Sequence, residues 1–366
     1  MLRVRRRCQA ERDQDENRSQ HHGACHRIVA RQIQRHRGNG VKHAGLVSEV
    51  QTCGCLNACY ASAVSGAQLP ILTVRHLTTY RYRQPVAFGE HRMMLRPRDD
   101  DDQRVLESEL AITPAPSRID WTRDAFGNHV ATARFADRAA VLHVESRIRI
   151  DHAPAPFLAA DIADFAKTYP FEYPAVDRAE LARYIAQPAQ PAQPPDIGRW
   201  AEGFLRPDGT ADTHALLTGM TQTIKRTFRH GARHQKGTQE PVLTLRLASG
   251  SCRDLAVLMI AGLRSLGFAA RFASGYLNVA DSDESLTGGN THAWVQAYVP
   301  GPGWVDFDPS SGTVGNDNLI RVAVAPAPDQ AIPLQGSWIG FASDHLVMNV
   351  AVKVAVSNGT LPPRFP

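Results

Sequence analysis

The sequence predicts an α+β protein in which a small all-β domain precedes a core of one buried helix packed on an antiparallel sheet. Three observations carry that expectation. Short β-branched and aromatic runs recur at intervals of roughly ten residues between Ile71 and Ile150. Apolar residues at helical spacing follow Ser251. Two alternating runs then flank the cluster Pro300-Gly-Pro-Gly303, the pattern of a β-hairpin.

A chain of 366 residues, 43% hydrophobic and 21% charged, is long enough for two domains with a tail. No run approaches the ~18 apolar residues needed to cross a bilayer, so no membrane role is expected. The excess positive charge is confined to one end. Residues 1–50 hold 11 Lys and Arg against 5 Asp and Glu, while the remainder holds 30 against 31. The folded body therefore carries no basic footprint, and a nucleic-acid partner is not expected. Five of the six cysteines (Cys8, Cys25, Cys53, Cys55 and Cys59) fall in the same end, leaving Cys252 alone in the body. That rules out a disulfide scaffold and, with no apolar segment behind the basic N-terminus, reads as cytoplasmic.

Residues 1–69 show no sustained apolar period. They read as a basic, disordered arm or as translated sequence ahead of the folded body. A zinc site built on Cys53, Cys55 and Cys59 would lack the paired Cys-x2-4-Cys spacing of structural zinc. The β-rich domain spans 70–156, with strands expected at Ile71–Tyr82, His91–Leu95, Glu107–Thr113, Ile119–Arg123, His129–Phe135 and Val141–Ile150. His76, His91 and His129 are isolated there and read as structural. The catalytic domain is expected over 157–356 and a tail over 357–366. It opens with helices at Asp161–Lys167 and Arg178–Ile185 and a polyproline spacer at Gln187–Pro195.

Leu255, Leu258, Met259, Leu263 and Leu266 line one helical face, Gly267 is placed to end the helix, and Ser251-x-x-Asp254 has the form of a capping box. Cys252 thus sits in the first turn, where orphan N–H groups and the helix dipole favour thiolate over thiol. A thiolate nucleophile needs a base and a group to orient that base. His292 and Trp294 share one face of the strand before the Pro/Gly cluster, and Asp306 and Asp308 share one face of the strand after it. An alternating hairpin could be merely structural, yet these three residue types supply nucleophile, base and orienter. For His292 to meet Asp308, Tyr298 must pair with Trp304 through a loop from Val299 to Gly303; pairing Val299 with Trp304 would turn His292 away.

The stretches Gly250-Ser-Cys-Arg-Asp-Leu-Ala-Val-Leu-Met259, Ala270-Arg-Phe-Ala-Ser-Gly-Tyr-Leu277, Thr291-His-Ala-Trp294 and Gly303-Trp-Val-Asp-Phe-Asp-Pro-Ser310 resemble the transglutaminase-like superfamily. The β-rich region from Ile71 resembles the N-terminal domain of its bacterial members, so the resemblance spans about 71–355. It implies a papain-like core with Cys252 as nucleophile, His292 as base and Asp308 as the orienting carboxylate. Trp294 supports by shielding the pair, and Asp306 is the weaker candidate for the carboxylate. Where bacterial members often carry a Gly-Arg-Asp-Tyr-like stretch, this chain has Pro326-Ala-Pro-Asp-Gln330. The oxyanion donor is unmarked beyond the Cys252 N–H, with Gln235, Thr238 and Gln239 as candidate side chains. The implied activity is thiol-dependent acyl transfer or hydrolysis at a carboxamide or peptide bond of a protein or peptide substrate, with no cofactor and no metal. The alternatives are a cysteine peptidase or amidase on the same fold and a catalytically silent binding module.

Overall fold

The computed structural model describes residues 71–153, 156–186, 195–233, 235–278 and 291–356. The expected arm, the tail, the zinc-candidate cysteines and nearly all of the proline-rich spacer lie outside these residues.

Ile71–Met93 (β1) is a single strand of 23 residues where two were expected. Register shifts between Arg81 and Val86 against one neighbour, and between Phe88 and His91 against another, let it change partners without ending. Gln103–Thr113 (β2), Arg118–Arg123 (β3), His129–Arg134 (β4) and Arg138–His152 (β5) complete an antiparallel sheet of order β2-β5-β1-β4-β3. Alternation in β5 buries Leu142, Val144, Ile148 and Ile150 on the covered side.

Two single 3-10 turns, Ala159–Asp161 and Asp164–Ala166, stand where a helix was expected over Asp161–Lys167. Ala163 interrupts them: its ψ is 138°, and its N–H donates to Pro300 O at 2.9 Å rather than to a helical carbonyl. Thr168–Tyr169 (β6) pairs with Ala211–Asp212 (β7). The helices are Ala175–Ile185 (α1), Pro195–Glu202 (α2), Thr213–Thr227 (α3), Pro241–Leu247 (α4) and Cys252–Ser265 (α5). Two-residue strands Arg229–His230 (β8) and Ser249–Gly250 (β9) run parallel to each other.

The second sheet has order β13-β12-β11-β10-β14, from Ala270–Leu277 (β10), His292–Val299 (β11), Gly303–Asp308 (β12), Thr313–Val314 (β13) and Leu319–Ala325 (β14). The apolar face of α5 buries Leu255, Met259 and Leu263 against Phe272, Val295, Ala297 and Phe307 of this sheet. At about 2–3 kcal/mol for each large side chain removed from water, that face alone anchors the helix carrying Cys252. The fold is therefore α+β, with the nucleophile helix on an antiparallel sheet.

Two strands of the expected catalytic span 157–356 return to the β-rich sheet. Leu334–Ile339 (β15) and His345–Val356 (β16) leave the core and pair with β1, extending the first sheet to seven strands. The reason is β1's length: β5 occupies one edge over Leu72–Arg81, and β16 satisfies the other edge over the same stretch. The sheets meet where Leu72, Val74, Ile148 and Ile150 pack on Tyr276, Ile320 and Val322. Arg321 of β14 also reaches across, pairing with Asp102 at 2.7 Å and Asp100 at 3.2 Å.

Candidate active site

The site begins with a backbone irregularity. Helix α4 ends at Ala248, which adopts the left-handed region at φ 45° and ψ 39° although it carries a Cβ. The chain then turns directly through Ser249 and Gly250 into α5. A Cβ on Gly250 would lie 2.7 Å from Asp254 Cβ, so only glycine allows so tight an entry. Asp254 is fully buried and anchors the helix start. It accepts hydrogen bonds from Ser251 N–H (2.9 Å), the Ser251 hydroxyl (2.7 Å), Gln239 N–H (2.7 Å) and Arg233 (2.9 and 3.2 Å). Burial works to raise its pKa, but Arg233 and the other donors outweigh burial and hold it below the ordinary value. The expected capping box is present and does more than cap, because Asp254 also ties Arg233 and Gln239 to the helix.

Cys252 is a free thiol, partly buried, at the first position of α5. Burial alone would push its pKa up. Hydrogen bonds from His230 and His292, the charge of His292 and the Ala293 N–H together bring it down to about 6 from 9.0. His292 opens β11, opposite Gly275 of β10. Its Nε2 lies 2.9 Å from Asp308 Oδ2, and its ring stacks at 6.0 Å and 23° on Trp294. Burial disfavours its charge, yet Asp308 and Cys252 overcome that and lift it to about 10. Asp308 is fully buried at the end of β12. It accepts from Ser310 N–H (2.9 Å) and from the hydroxyls of Ser310 (2.8 Å) and Ser311 (2.6 Å). Burial would raise it, but His292 and these donors bring it to about 2. A thiolate, an imidazolium and a carboxylate thus stand in line, each favouring the charge on the next.

The hairpin has the register that this contact demands: Tyr298 pairs with Trp304 and Val299 with Gly303. Gly301 (φ 107°) and Gly303 (φ 80°) supply the positive φ angles that close the turn. Asp306 shares the strand face with Asp308 but has other partners. It accepts from Trp294 Nε1 at 2.5 Å and from Arg321 Nη1 at 2.9 Å. Trp294 is therefore held by its indole N–H as well as by packing, and is completely buried beneath His292.

Three residues at the site were not anticipated. Ser310 and Ser311 follow Asp308 directly, and the run Asp308-Pro-Ser-Ser311 was the available signal, since hydroxyls two and three residues past a carboxylate can return to it. His230 of β8 pairs with Gly250 and helps lower the Cys252 thiol's pKa, and nothing periodic around it marked it in advance. Among the candidate oxyanion side chains, Gln239 is committed to Thr244 Oγ1 (3.0 Å) and Ser249 O (3.1 Å). The stretch Pro326–Gln330 leads into a 3-10 turn over Pro328–Ala331 next to β10 and is anchored by Arg264 Nη2 donating to Pro326 O at 2.7 Å. Two surface clefts, lined in part by Tyr173 and Ile185 and by Arg271 and Trp304, do not include Cys252. Among the described residues no group of three His, Cys, Asp or Glu side chains is placed to hold a metal ion.

Comparison with known proteins agrees with this fold. Residues 72–151 match the bacterial transglutaminase-like N-terminal region, and residues 200–309 match the transglutaminase-like superfamily. An uncharacterized protein of Mycobacterium tuberculosis, Rv2569c, is 28% identical over 325 residues, covering 81% of this chain and 98% of its own length. YebA of Bacillus subtilis is 37% identical over 71 residues, 17% of this chain and 10% of that protein. The crystal structure of a candidate cysteine protease from Cytophaga hutchinsonii superposes with a TM-score of 0.62 at 18% identity, covering 82% of this chain and 95% of that one, which shows a shared fold. The chain belongs to the transglutaminase-like superfamily, with the bacterial N-terminal region preceding its core.

Proposed function

We propose that this transglutaminase-like protein is a thiol-dependent acyltransferase or hydrolase acting on a carboxamide or peptide bond, with Cys252 as nucleophile, His292 as base and acid, and Asp308 as orienter. The observation that carries the reading is the Cys252–His292–Asp308 line, in which His292 Nε2 is 2.9 Å from a buried Asp308. A binding module has no use for a thiol held near pKa 6, which argues against a silent role.

The steps follow from the charges. The Cys252 thiolate attacks the carbonyl carbon, and the carbonyl electrons move to oxygen. As that intermediate collapses, His292 gives its proton to the departing amine or ammonia and the carbon–nitrogen bond breaks, leaving an acyl-thioester on Cys252. His292, now neutral, takes a proton from water or a second amine as that acceptor attacks the thioester. Cys252 leaves as thiolate and the imidazolium is restored. Asp308 keeps one tautomer of His292 throughout and stabilises its charged form. Hydrolysis and transamidation differ only in the acceptor.

A peptidase or amidase reading uses the same steps with a peptide or small amide as donor, and the fold shared with the Cytophaga hutchinsonii protein is compatible with it. We place the substrate among proteins or peptides and the enzyme in the cytoplasm, on the single cysteine of its body. Among the described residues no helix is long and apolar enough to cross a membrane. The test is mass spectrometry of glutamine-containing peptides incubated with the enzyme and a primary amine. Amine incorporation, deamidation or chain cleavage that vanishes in Cys252→Ala supports the reading and identifies the acceptor. Turnover that survives Cys252→Ala would refute it.

A further inference from the structure

One group at the thiol has no part in these steps. His230 comes from a separate segment, held by a parallel backbone bracket: Arg229 N–H donates to Ala248 O at 2.8 Å, and Gly231 N–H donates to Gly250 O at 3.0 Å. Pairing sets His230 opposite Gly250, two residues before the nucleophile, and its imidazole is among the groups that bring the Cys252 thiol's pKa down. The ring differs from His292 in its support. His292 has a buried carboxylate behind it, whereas no salt bridge to His230 occurs among the described residues, and the residue is exposed. Nothing there polarises His230 as a base.

A donor on the sulfur has another use. When the thiolate attacks, its negative charge leaves sulfur and reappears on the carbonyl oxygen, one bond beyond the carbon being attacked. A donor that held the thiolate loses its acceptor at that moment and finds the new one within a small movement of its ring. The backbone N–H of Cys252, in the first turn of α5, has no intrahelical acceptor and can supply a second hydrogen bond. Other side chains nearby are engaged: Gln239 with Thr244 and Ser249, and Arg233 with Asp254 and Gly237 O.

We propose that His230 is the side-chain donor of the oxyanion hole, pairing with the Cys252 backbone N–H to hold the tetrahedral oxyanion, an assignment that rests on Cys252 being the acyl-accepting nucleophile. The left-handed Ala248 belongs to the same device, because its carbonyl is one end of the bracket that aims His230.

Two probes of the full chain separate this role from an effect on the thiol alone. With 4-nitrophenyl acetate, Cys252 takes the acetyl group, releases nitrophenolate and must pass through an oxyanion. With iodoacetamide, the thiolate displaces iodide at a saturated carbon and forms no oxyanion. Both rates are followed across the titration of the thiol in the parent protein, His230→Ala and His230→Gln, with circular dichroism to verify folding. Either variant should shift the titration upward, because a hydrogen bond to the thiolate is lost or weakened. With the thiol fully ionised, alkylation should be the same in all three proteins. Acetylation in His230→Ala should be slower by about 10²-fold, the effect typical of deleting one oxyanion donor. His230→Gln, which keeps an N–H, should recover part of that loss. Equal losses in both reactions, or no loss in acetylation, would overturn the assignment. A parent protein that is alkylated but never acetylated at Cys252 would instead remove the acyl-transfer reading on which it rests.

Discussion

Replacing Asp308 with Asn tests how the thiolate is maintained. The substitution keeps the size of the side chain and its ability to hydrogen-bond His292, and removes its charge. With Asp308 ionised and Cys252 beside it, His292 is lifted to about 10. Without that carboxylate, burial draws the imidazole toward or below its ordinary 6.5, and it is neutral at pH 7. Cys252 then loses the charge of His292, while burial and the bonds from His230 and Ala293 remain. The drop from 9.0 to about 6 is worth roughly 4 kcal/mol. Losing the His292 share should return the thiol to about 7–8, which lowers the thiolate fraction at pH 7 from about 90% to between roughly 50% and 10%. Iodoacetamide alkylation at pH 7 should therefore slow by about two- to tenfold, with its lower limb displaced toward alkaline pH. Acyl transfer should suffer far more, by about 10²–10⁴-fold, because the His292 tautomer is lost as well. The same variant carries a stability signature. Asp308 sits at about 2 in the fold against 3.8 ordinarily, so its contribution is fully present above 3.8 and disappears as pH falls through about 2. That contribution, roughly 2 kcal/mol, should be missing from the acid unfolding of Asp308→Asn. An alkylation profile superimposable on that of the parent protein would refute the argument.

Other substitutions probe the framework. Gly250→Ala drives a Cβ into Asp254 and should cost about 1–3 kcal/mol in thermal unfolding while slowing alkylation of Cys252; normal stability would show that the entry to α5 is looser than described. Trp294→Phe removes the indole donor to Asp306 and leaves that buried carboxylate with Arg321, which should cost about 1–3 kcal/mol and reduce turnover. Unchanged unfolding in urea would argue against the bond. Ala248→Gly relieves a left-handed Cβ and should raise the melting temperature by an amount equivalent to up to about 1 kcal/mol; a fall would show that Ala248 is not strained.

Much of this site is local in sequence, which is why it could be read there. The start of α5 is announced by Ser251-x-x-Asp254 and an apolar period, and both partners of the cap lie within one turn. The hairpin register follows from period-two geometry once His292 and Asp308 are required to meet, and two glycines permit the turn. What escaped depends on distant pairing. Asp306 and Asp308 look equivalent along β12, and what sets Asp306 apart is Trp294 together with Arg321, which lies on β14, three strands away in the sheet. His230 has no pattern around it and becomes significant through its pairing with Gly250. The strand character of His345–Val356 gives no hint that its partner is β1, more than 260 residues earlier. Helix α3 is a different kind of omission: Leu216, Leu217, Met220 and Ile224 are helically spaced behind an Asp212 cap, yet no helix was expected there.

The most direct test of the central claim is to catch the acyl-enzyme. A glutamine-containing peptide that turns over is mixed with the full chain, quenched in acid within one turnover and analysed by intact mass and peptide mapping. The account predicts a mass increase equal to the peptide minus ammonia, located on the peptide containing Cys252 and discharged by hydroxylamine as a thioester should be. The adduct should be absent from Cys252→Ala and should persist longer in His292→Ala if any forms. Turnover without such an adduct, or an adduct on any residue other than Cys252, would contradict it.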